Sequence, residues 1–290
     1  MKVWALVIAY HPSVTAVAAL ADTLLRDGVQ VVVVDNTPVA ERHPLPLPYG
    51  CEHVPLGRNT GIAHAQNVGI AFARKRDAEV IVFFDQDSRI EAGFVGALVD
   101  TLDPAQPGVV GPACYDTERH FEYPPYRFDR WGWARPVSAR PGSGPQAVDL
   151  LISSGSAATS VTFDVAGTMD ESFFIDYVDL EWCIRCRHRG VPIHVVPEVM
   201  MQHSIGQRSV DVGPLTAFLH SPTRSYYRVR NAFLLLRRRH VPRPYALKEI
   251  AAALVHHLLV LPYSPSRREH LRLYLLAIAH GVRGVTGPRA

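Results

Sequence analysis

The acidic triplet Asp85-Gln86-Asp87 has the residue types and spacing of a metal site in this 290-residue chain. It follows the apolar run VIVFF at 80–84, which is typical of a buried strand. In extended backbone, residues i and i+2 point the same way, so both carboxylates would face one side. Two such carboxylates repel each other, and a hard divalent cation that is also bound by a diphosphate would relieve the repulsion. The alternative is a loop of solvated acids, which the preceding strand disfavours.

Three further polar segments could contribute to a site. Asp35-Asn36 follows the run VVVV at 31–34 and could hydrogen-bond a nucleobase or ribose, with a simple turn as the alternative. The segment GRNTG at 57–61 precedes a helical pattern whose N-terminus could bind phosphate or sugar oxygens, with an ordinary capped loop as the alternative. His203 ends a later apolar run, and a lone histidine is more often structural.

The segment FFIDYVDLE at 173–181 concentrates three acids, Asp176, Asp179 and Glu181. If it is helical, Asp176 and Asp179 lie three residues apart on one face. The apolar residues at 173–175 indicate that these acids are nearly buried, which favours a general base with a raised pKa. The alternative is a solvated helix start, where acids complement the helix dipole.

Alternating strand and helix patterns position these residues. The predicted strands are 5–9, 29–34, 52–56, 80–84, 109–112 and 193–201, and the predicted helices are 14–26, 61–76, 91–102, 163–169 and 176–189. This order predicts a doubly wound α/β sheet, whose ligands bind at the carboxyl ends of the strands. Asp35 and Asp85 both lie at such ends and can converge on one crevice. Residues 115–147 are irregular and aromatic, as in a flap over a site.

After Pro214 the pattern becomes wholly helical, with predicted helices at 215–238, 245–261 and 267–282. We therefore predict two parts, an α/β catalytic domain over 1–213 and a basic helical region over 214–290. The net charge of +3 conceals an asymmetry, because residues 224–290 carry a balance of +11 and the rest −8. Basic helices with apolar residues suggest an anionic membrane surface or a phosphate-bearing substrate, with a solvated face as the alternative.

The four cysteines are too few for a disulfide framework in a chain of this length. Cys183 and Cys186 form a C-x-x-C without a second pair, so we expect ordinary thiols rather than a metal or redox site. The chain has neither a signal-peptide pattern nor a continuous apolar run of about 18 residues. We therefore expect a cytoplasmic protein that is soluble or peripheral on the inner face of the plasma membrane.

Taken in order, several of these segments resemble the family 2 glycosyltransferases of GT-A fold, over about residues 3–240. The matching pieces are ALVIAYHP, VVVVDN, GRNTGIAHAQNVGI, VIVFFDQDS, SSGS, and FFIDYVDLEWCIRCRHRG followed by QHSIG. Two of them, FFDQDS and FIDYVDLEWC, look like the bacterial rhamnosyltransferase branch. The resemblance implies a Rossmann-like, mostly parallel sheet flanked by helices, with a C-terminal helical appendage.

The resemblance also implies a role for each matching residue. Asp179 falls where the family has its catalytic base, and Asp87 would hold the metal together with His203. Asp35 would meet a pyrimidine base. The implied donor-binding residues are Ala9, Tyr10, Asp35, Asn36, Arg58, Asn59, Gly61, Asn67, Asp85 and Gln86. The implied acceptor-side residues are Ser154, Gly155, Asp176, Glu181, Trp182, Tyr227, Arg230 and Asn231. One departure is Val178, because many relatives have Glu before the base, and Glu181 is expected to take over part of that role.

The implied reaction is an inverting sugar transfer assisted by Mg²⁺ or Mn²⁺. The expected donor is dTDP-L-rhamnose or a UDP-sugar, and the expected acceptor is a cell-envelope polysaccharide, a lipid or a polyprenyl-diphosphate-linked glycan. We expect no nucleic acid among the partners. One alternative is a sugar-1-phosphate nucleotidyltransferase, but AYHPS after the first strand lacks the glycine-rich basic loop that it needs. Another is a non-catalytic nucleotide-sugar-binding module, against which the intact Asp179 counts.

Overall fold

The computed structural model describes residues 1–116, 121–202, 209–212 and 215–289. His203, a predicted metal ligand, lies outside the described residues. The strands are, in chain order, β1 (Val3–Ala9), β2 (Gln30–Asp35), β3 (Cys51–Pro55), β4 (Val80–Asp85), β5 (Val109–Asp116), β6 (Phe121–Tyr123), β7 (Tyr126–Phe128), β8 (Ala134–Pro136), β9 (Gln146–Ala147), β10 (Ala157–Thr159), β11 (Ile193–Gln202), β12 (Ser209–Val212) and β13 (Leu215–Phe218). The helices are α1 (Val14–Arg26), α2 (Ile62–Arg74), α3 (Phe94–Val99), α4 (Ser160–Ala166), α5 (Val178–His188), α6 (Pro222–Leu236), α7 (Arg243–Val260) and α8 (Arg267–Arg283).

The main sheet has the strand order β3-β2-β1-β4-β10-β5-β11-β9, with β6 paired to β5. Strands β1 to β4 pair in parallel, whereas β10 runs antiparallel between β4 and β5. The predicted α/β fold with a mostly parallel sheet and a helical C-terminal part is confirmed. Since β1 lies between β2 and β4, the carboxyl ends of these three strands meet at one edge.

The sheet buries apolar side chains on both faces, as its continuous apolar strands predict. Along β1, Leu6 and Ile8 belong to the core on one face, and Ala5 and Val7 belong to the core on the other. The Leu6 side of the sheet faces α2, α5 and the C-terminal helices, whereas α1 and α3 cover the opposite side. Both faces are therefore protected from water, and only the sheet edge is left for ligands.

Several predicted helices differ from the observed ones at their starts. The helix predicted over 215–238 begins only at Pro222, because residues 215–218 pair with residues 209–212 as strand β13, so the prediction that the region after Pro214 is wholly helical is wrong. The helix predicted over 163–169 lies at Ser160–Ala166.

The helix predicted over 91–102 is shorter, because Gly93 has a φ of +80° and α3 begins only at the next residue. The helix predicted over 176–189 begins at Val178, because Asp176 and Tyr177 have φ values of +62° and +65°. Asp176 therefore lies in the loop before α5 and not on one helical face with Asp179, and that prediction is wrong.

The irregular region predicted over 115–147 contains short strands, among them the β7–β8 hairpin. Cys183 and Cys186 are free and buried in α5, which agrees with ordinary thiols. The C-terminal helices α7 and α8 both pack on α6, and Tyr226, Leu273 and Ala277 extend the core on that side of the sheet. The proposed boundary at 213/214 stays a prediction.

The C-terminal region also contains an apolar helical stretch. Among the described residues, Arg243–Tyr263 alone is long and apolar enough for a membrane span by length and composition, a criterion that core helices of soluble proteins also meet. One side of this stretch is occupied by protein contacts, because Tyr245, Ala246 and Ala253 are buried in the core. An apolar stretch with one face on protein has the other face available for a surface contact.

Candidate active site

A cleft of about 600 Å³ opens at the carboxyl edge of β1, β2 and β4. It brings together residues from the strand ends, from the loop before α5 and from α6 and α7. The polar and charged side chains among its lining residues are Tyr10, Asn36, Asn59, Gln66, Asp85, Gln86, Asp87, Ser153, Ser154, Asp176, Tyr177, Asp179, Arg224, Arg228 and Glu249. The two acidic segments that the sequence singled out, 85–87 and 176–179, therefore face one space.

Strand β4 delivers the acidic triplet to the floor of the cleft. The Tyr10 backbone N–H donates to Gln86 Oε1 at 2.7 Å, which ties the triplet to the end of β1. Burial raises the pKa of Asp85 to about 6, and the negative charges of Asp87 and Asp179 act in the same direction. Asp87 itself is exposed. The predicted crowding of carboxylates is thus present, but residues 85–88 form a turn, closed by the Ser88 N–H and the Asp85 carbonyl at 3.1 Å, and not the extended backbone that was predicted. A bound cation would relieve the crowding.

Asp179 is the second residue of α5 and is only partly exposed at the bottom of the cleft. Its Oδ1 accepts from the Leu180 N–H at 2.9 Å, and its Oδ2 accepts from the Ser153 N–H at 3.2 Å. Burial raises the pKa of Asp179 and Asp176 adds to the rise, whereas these backbone hydrogen bonds oppose it. A fixed carboxylate with a raised pKa, open to the cleft, is suited to accept a proton from a bound hydroxyl.

The segment 174–177, which lines the cleft just before α5, has an unusual backbone. Phe174, Asp176 and Tyr177 all have positive φ values, which cost a residue with a side chain about 1–3 kcal/mol each. Side chains of helix α6 stabilise this conformation by hydrogen bonds. Asn231 Nδ2 donates to the carbonyls of Phe173, Ile175 and Asp176 at 2.8, 2.6 and 3.1 Å.

Arg230 supports the same segment through the carbonyls of Ser172 and Phe173, at 3.2 and 3.0 Å. Arg230 and Asn231 are both fully buried, with no exposed surface. Tyr227 is also buried and stacks on Phe174, with ring centroids 4.6 Å apart. The prediction that these three residues contact the acceptor is therefore corrected, because they lie beneath the cleft and position its floor.

We expect Asn231→Ala to lower the free energy of unfolding by about 2–4 kcal/mol, because the Ile175 and Asp176 carbonyls lose this donor and the Phe173 carbonyl loses one of its donors. Urea unfolding followed by circular dichroism measures this change. Thr223→Ala is the matched control, since Thr223 is exposed on the same helix, and it should stay within about 0.5 kcal/mol of the unmodified protein. Equal stability of the two variants would contradict the role given to Asn231.

Two further acceptor-side predictions, Glu181 and Trp182, are also wrong, because both side chains point away from the cleft. Glu181 is 1% exposed and forms an ion pair with Arg185 at 2.8 Å and with His240 at 2.7 Å. Burial acts to raise its pKa, but the hydrogen bonds from His240 and Arg185 hold the pKa of Glu181 below its usual range. Trp182 is buried and stacks on Phe163, with ring centroids 5.5 Å apart. Glu181 therefore cannot replace the acidic neighbour that is absent at Val178.

The donor-side residues Asn36 and Asn59 line the cleft and are joined in one network. Asn36 Nδ2 donates to Asn59 Oδ1 at 3.2 Å, and Asn36 Oδ1 accepts from the Thr60 N–H at 2.8 Å. Gly61 has a φ of +85°, and a Cβ there would lie 2.5 Å from the Phe174 ring. Glycine is thus required where the two loops meet, and the Phe174 carbonyl accepts from the first N–H of α2 at 2.7 Å.

Asp35 ends β2 but does not line the main cleft. It is 1% exposed, its Oδ1 accepts from the Thr37 N–H at 2.9 Å, and its Oδ2 lies 3.3 Å from Arg42 Nε. It opens instead to an adjoining cavity of about 240 Å³, which His11 and Arg42 also line. The expectation that Asp35 and Asp85 share one crevice is corrected, because the intervening Asn36 occupies the cleft wall.

Four other predicted site residues do not line the cleft. Ala9 is buried within β1 and Arg58 is exposed outside the cleft. Asn67 instead fixes the loop before α5, accepting from the Met169 N–H and donating to the Met169 carbonyl at 2.8 and 3.0 Å. Gly155 has a φ of +78° and packs beneath Ser154, where a Cβ would lie 2.7 Å from the Met201 sulfur. The site roles predicted for Ala9, Asn67 and Gly155 are corrected to structural ones, whereas the role predicted for the exposed Arg58 stays a prediction.

Sequence reasoning missed several lining residues, chiefly Arg224, Arg228 and Glu249. Arg224 pairs with Asp176 at 3.1 Å, across the mouth of the cleft. The α6 residues that were predicted, Tyr227, Arg230 and Asn231, lie on the buried face of this helix. The signal that could have found the other face is the spacing of Arg224 and Arg228, which are four residues apart and therefore share one side of α6.

The residues present fit a hard divalent cation. Asp85 and Asp87 offer carboxylate oxygens, which Mg²⁺ and Mn²⁺ prefer, and the open space beside them admits further oxygen ligands from a substrate. Within the described ranges, no cluster of three or more His, Cys, Asp or Glu side chains is arranged to hold a metal alone. A cation here would thus need a phosphate partner, which is how Mg²⁺ is commonly bound.

Comparison with known proteins identifies the family. The sequence profile described as Glycosyl transferase family 2 matches residues 7–148, which include the strand ends and the acidic triplet. The chain is also 38% identical over 287 residues to a protein of Shigella flexneri named dTDP-rhamnosyl transferase RfbF, covering 99% of this chain and 97% of that one. The chain belongs to glycosyltransferase family 2. The predicted resemblance to the bacterial rhamnosyltransferase branch of this family is confirmed.

Solved structures support the fold of this glycosyltransferase. Staphylococcus aureus TarS, residues 1–349 in complex with UDP-GlcNAc, superposes with a TM-score of 0.54 at 16% identity, covering 98% of this chain and 82% of that one. GalNAc-T7 with UDP, GalNAc and Mn²⁺ superposes with a TM-score of 0.58 at 12% identity, and the chain spans 57% of its length. The GT-A type architecture is confirmed by these neighbours. A glycosyltransferase is an enzyme, so the non-catalytic alternative is set aside, as is the nucleotidyltransferase.

Proposed function

We propose that this glycosyltransferase moves L-rhamnose from dTDP-rhamnose to a hydroxyl group of a cell-envelope glycan or lipid-linked acceptor, with inversion at the anomeric carbon. The observation that carries the proposal is that Asp87 and Asp179 line the same cleft. Asp87 is suited to bind a metal ion that holds a diphosphate, and Asp179 is suited to accept a proton. The name of the Shigella flexneri relative supports the choice of dTDP-rhamnose. UDP-sugars are the alternative donors, since UDP-GlcNAc is bound in the TarS structure.

Each residue has a part in the transfer. Asp179 takes the proton from the acceptor hydroxyl as that oxygen attacks the anomeric carbon, and the Ser153 and Leu180 N–H groups hold its carboxylate in place. Asn36 and Asn59 form the wall beside the nucleotide. Asp35, in the adjoining cavity, is within reach of a base bound there.

We propose that Asp87 binds Mg²⁺ or Mn²⁺, with Asp85 beside it. GalNAc-T7, a fold neighbour, was solved with Mn²⁺. Asp85 and Asp87 would hold the cation, which would supply charge neutralisation for the leaving nucleoside diphosphate. His203 remains a candidate ligand outside the described residues.

Donor identity can be tested directly with the purified protein and Mn²⁺. We expect dTDP-rhamnose and dTDP to raise the melting temperature more than UDP-GlcNAc and UDP at equal concentration, because a ligand that binds more tightly stabilises the folded state more. With candidate acceptors, release of dTDP should then follow. A shift with UDP-sugars and none with dTDP-rhamnose would refute the donor assigned here.

We further propose that α7 and α8 dock on the anionic inner face of the plasma membrane. Their exposed apolar side chains are Leu247, Val255 and Leu258 on α7 and Leu271, Leu275 and Val282 on α8, each more than 40% exposed. Basic residues flank them, namely Arg243, Lys248, Arg267, Arg268, Arg272 and Arg283. Apolar stripes with basic flanks complement an anionic bilayer, and docking there would bring lipid-linked acceptors to the cleft.

We expect the double variant Leu258→Glu/Leu275→Glu to lower binding to phosphatidylglycerol vesicles by about tenfold or more, because it removes apolar surface and adds two negative charges. Co-sedimentation of protein with vesicles measures this loss. Point variants are preferable to deletion, since the tail helices contribute Leu273 and Ala277 to the core. The control is Val39→Glu, which is 68% exposed and lies far along the chain from these helices. Equal binding by double variant and control would refute membrane docking through this face.

A further inference from the structure

Two arginines on one side of α6, Arg224 and Arg228, line the cleft but differ in their partners. Arg224 is paired, with its Nη2 3.1 Å and its Nε 3.3 Å from Asp176 Oδ1. Arg228 has no carboxylate within 4.0 Å in the described part of the chain. Its Nη1 lies 3.1 Å from the Nε2 atom of His220. Arg228 is therefore held by a histidine, and its charge is not neutralised by a salt bridge.

His220 can hold Arg228 in one way only. A guanidinium group donates hydrogen bonds and cannot accept them, so His220 Nε2 must be the acceptor and its proton must lie on Nδ1. His220 is 9% exposed, and its Nδ1 has no hydrogen-bond partner. Burial lowers the pKa of His220 to about 3, and the positive charges of Arg228 and Arg224 act in the same direction. The imidazole is thus neutral at physiological pH and remains an acceptor.

The surroundings of His220 keep it neutral as well. His256 and His257 of α7 lie 5.8 and 6.5 Å from it between ring centroids, and His257 lies 5.7 Å from His270 of α8. His257 and His270 are each 1% exposed, and their ring nitrogens make no hydrogen bonds. Within the described ranges, no acidic side chain forms a salt bridge with His220, His257 or His270. The Arg228 guanidinium group is therefore held by a neutral histidine on its protein side, and it lines the cleft.

We propose that Arg228 is a phosphate-binding cation of the cleft and that His220 is its positioning residue. A neutral acceptor fixes the direction of the guanidinium without consuming its charge, whereas a carboxylate in the same place would cancel it. The unpaired charge then suits a diphosphate group. Two sources could supply that group in this cleft, the nucleotide donor or a lipid-linked acceptor. This inference rests on the proposed function, because both sources are substrates of that reaction.

The test is a double-mutant cycle on diphosphate binding, measured by calorimetry with Mg²⁺ present. Arg228→Met should weaken binding by about tenfold or more, because one charge-assisted hydrogen bond is lost. His220→Leu should weaken the same binding, and the double variant should bind no worse than Arg228→Met alone, since the histidine acts only through the arginine. His220→Gln keeps an acceptor oxygen and should recover most of the loss. His270→Leu is the control and should bind normally, because His270 is also buried in the same cluster and forms no hydrogen bond with Arg228 in the described part of the chain.

Two ligands distinguish the sources of the diphosphate. A loss with dTDP, and none with thymidine, assigns the group to the donor. A loss only with geranylgeranyl diphosphate, added to protein saturated with dTDP, assigns it to the acceptor. Unchanged binding of both by Arg228→Met, or additive losses in the double variant with normal melting temperatures, would overturn the inference. Failure of the unmodified protein to bind either dTDP or UDP would instead count against the proposed function.

Discussion

Asp179→Asn should reduce sugar transfer by about 10²- to 10⁴-fold, because the variant cannot take a proton from the acceptor hydroxyl. Binding of the nucleoside diphosphate should survive, since Asp179 lies at the start of α5 and not at the strand ends that form the nucleotide side of the cleft. An amide has one acceptor oxygen, so one of the backbone donors, Ser153 or Leu180, loses its partner. We expect a stability loss of about 1–3 kcal/mol from this. Initial rates, calorimetry and thermal unfolding separate the three effects.

The control for this substitution is Asp164→Asn, because Asp164 is an exposed acid that pairs with Arg74 outside the cleft. It should retain normal turnover. If Asp179→Asn also kept near-normal turnover, Asp179 would not be the base.

The pH dependence of the rate gives a second measure of the same residue. The base must be ionised, so activity falls as the pH falls through its pKa. Because burial raises the pKa of Asp179, activity should be lost at a higher pH than an ordinary aspartate would give. The small residual rate of Asp179→Asn should lack this acid limb. A limb that persists unchanged would have to belong to another group, such as Asp85, whose pKa is raised to about 6.

Asp87→Ala should lower kcat/KM by about 10²- to 10³-fold, because the cation that neutralises the leaving diphosphate loses its carboxylate. The same variant should bind a nucleoside diphosphate equally well with and without Mn²⁺, whereas the unmodified protein should bind it more tightly with Mn²⁺. Asp87 is exposed, so its removal should leave the melting temperature unchanged. Calorimetric titration across a range of metal concentrations measures the effect.

Asp100→Ala is the control for Asp87, since Asp100 is also exposed but lies at the end of α3, away from the cleft. It should keep the full metal response. If Mn²⁺ tightened nucleoside diphosphate binding as strongly in Asp87→Ala as in the unmodified protein, other ligands would hold the cation. The role proposed for Asp87 would then be wrong.

The strand ends were predictable because their signals are local. VIVFF and VVVV are continuous apolar runs that only a doubly covered sheet can bury, and Asp85 and the pair Asp35-Asn36 follow them directly. The position of Asp179 was also predicted, through the resemblance of FIDYVDLEWC to a known family. What local pattern could not give is the direction of side chains in helices that pack on several neighbours.

Glu181 and Arg230 illustrate this limit. The resemblance implied that both residues lie on the acceptor side of the site, and charged residues are most often exposed. Glu181 is instead satisfied by Arg185 and by His240, which is 59 residues away, and Arg230 is satisfied by carbonyls more than 55 residues away. Arg185 is four residues from Glu181, and this spacing was a signal that the sequence offered for a pair on one side of α5. His240 and the carbonyl partners of Arg230 are distant in sequence, so no spacing rule could pair them. The positive φ values at Asp176 and Tyr177 were equally invisible, because both residues are ordinary inside helices.

The support that α6 gives to residues 173–176 bears on how this enzyme could be recombined with its relatives. A chimera joined near residue 213 would combine one protein's catalytic loop with another protein's supporting asparagine and arginine. Unless both parents share the residues equivalent to Asn231 and Arg230, the loop would relax and carry Asp176 away from the cleft. Exchanging the C-terminal helices alone should therefore rarely transfer a new acceptor preference. The loop and α6 would have to be exchanged together, although Asp176 and Pro222 are 46 positions apart in the sequence.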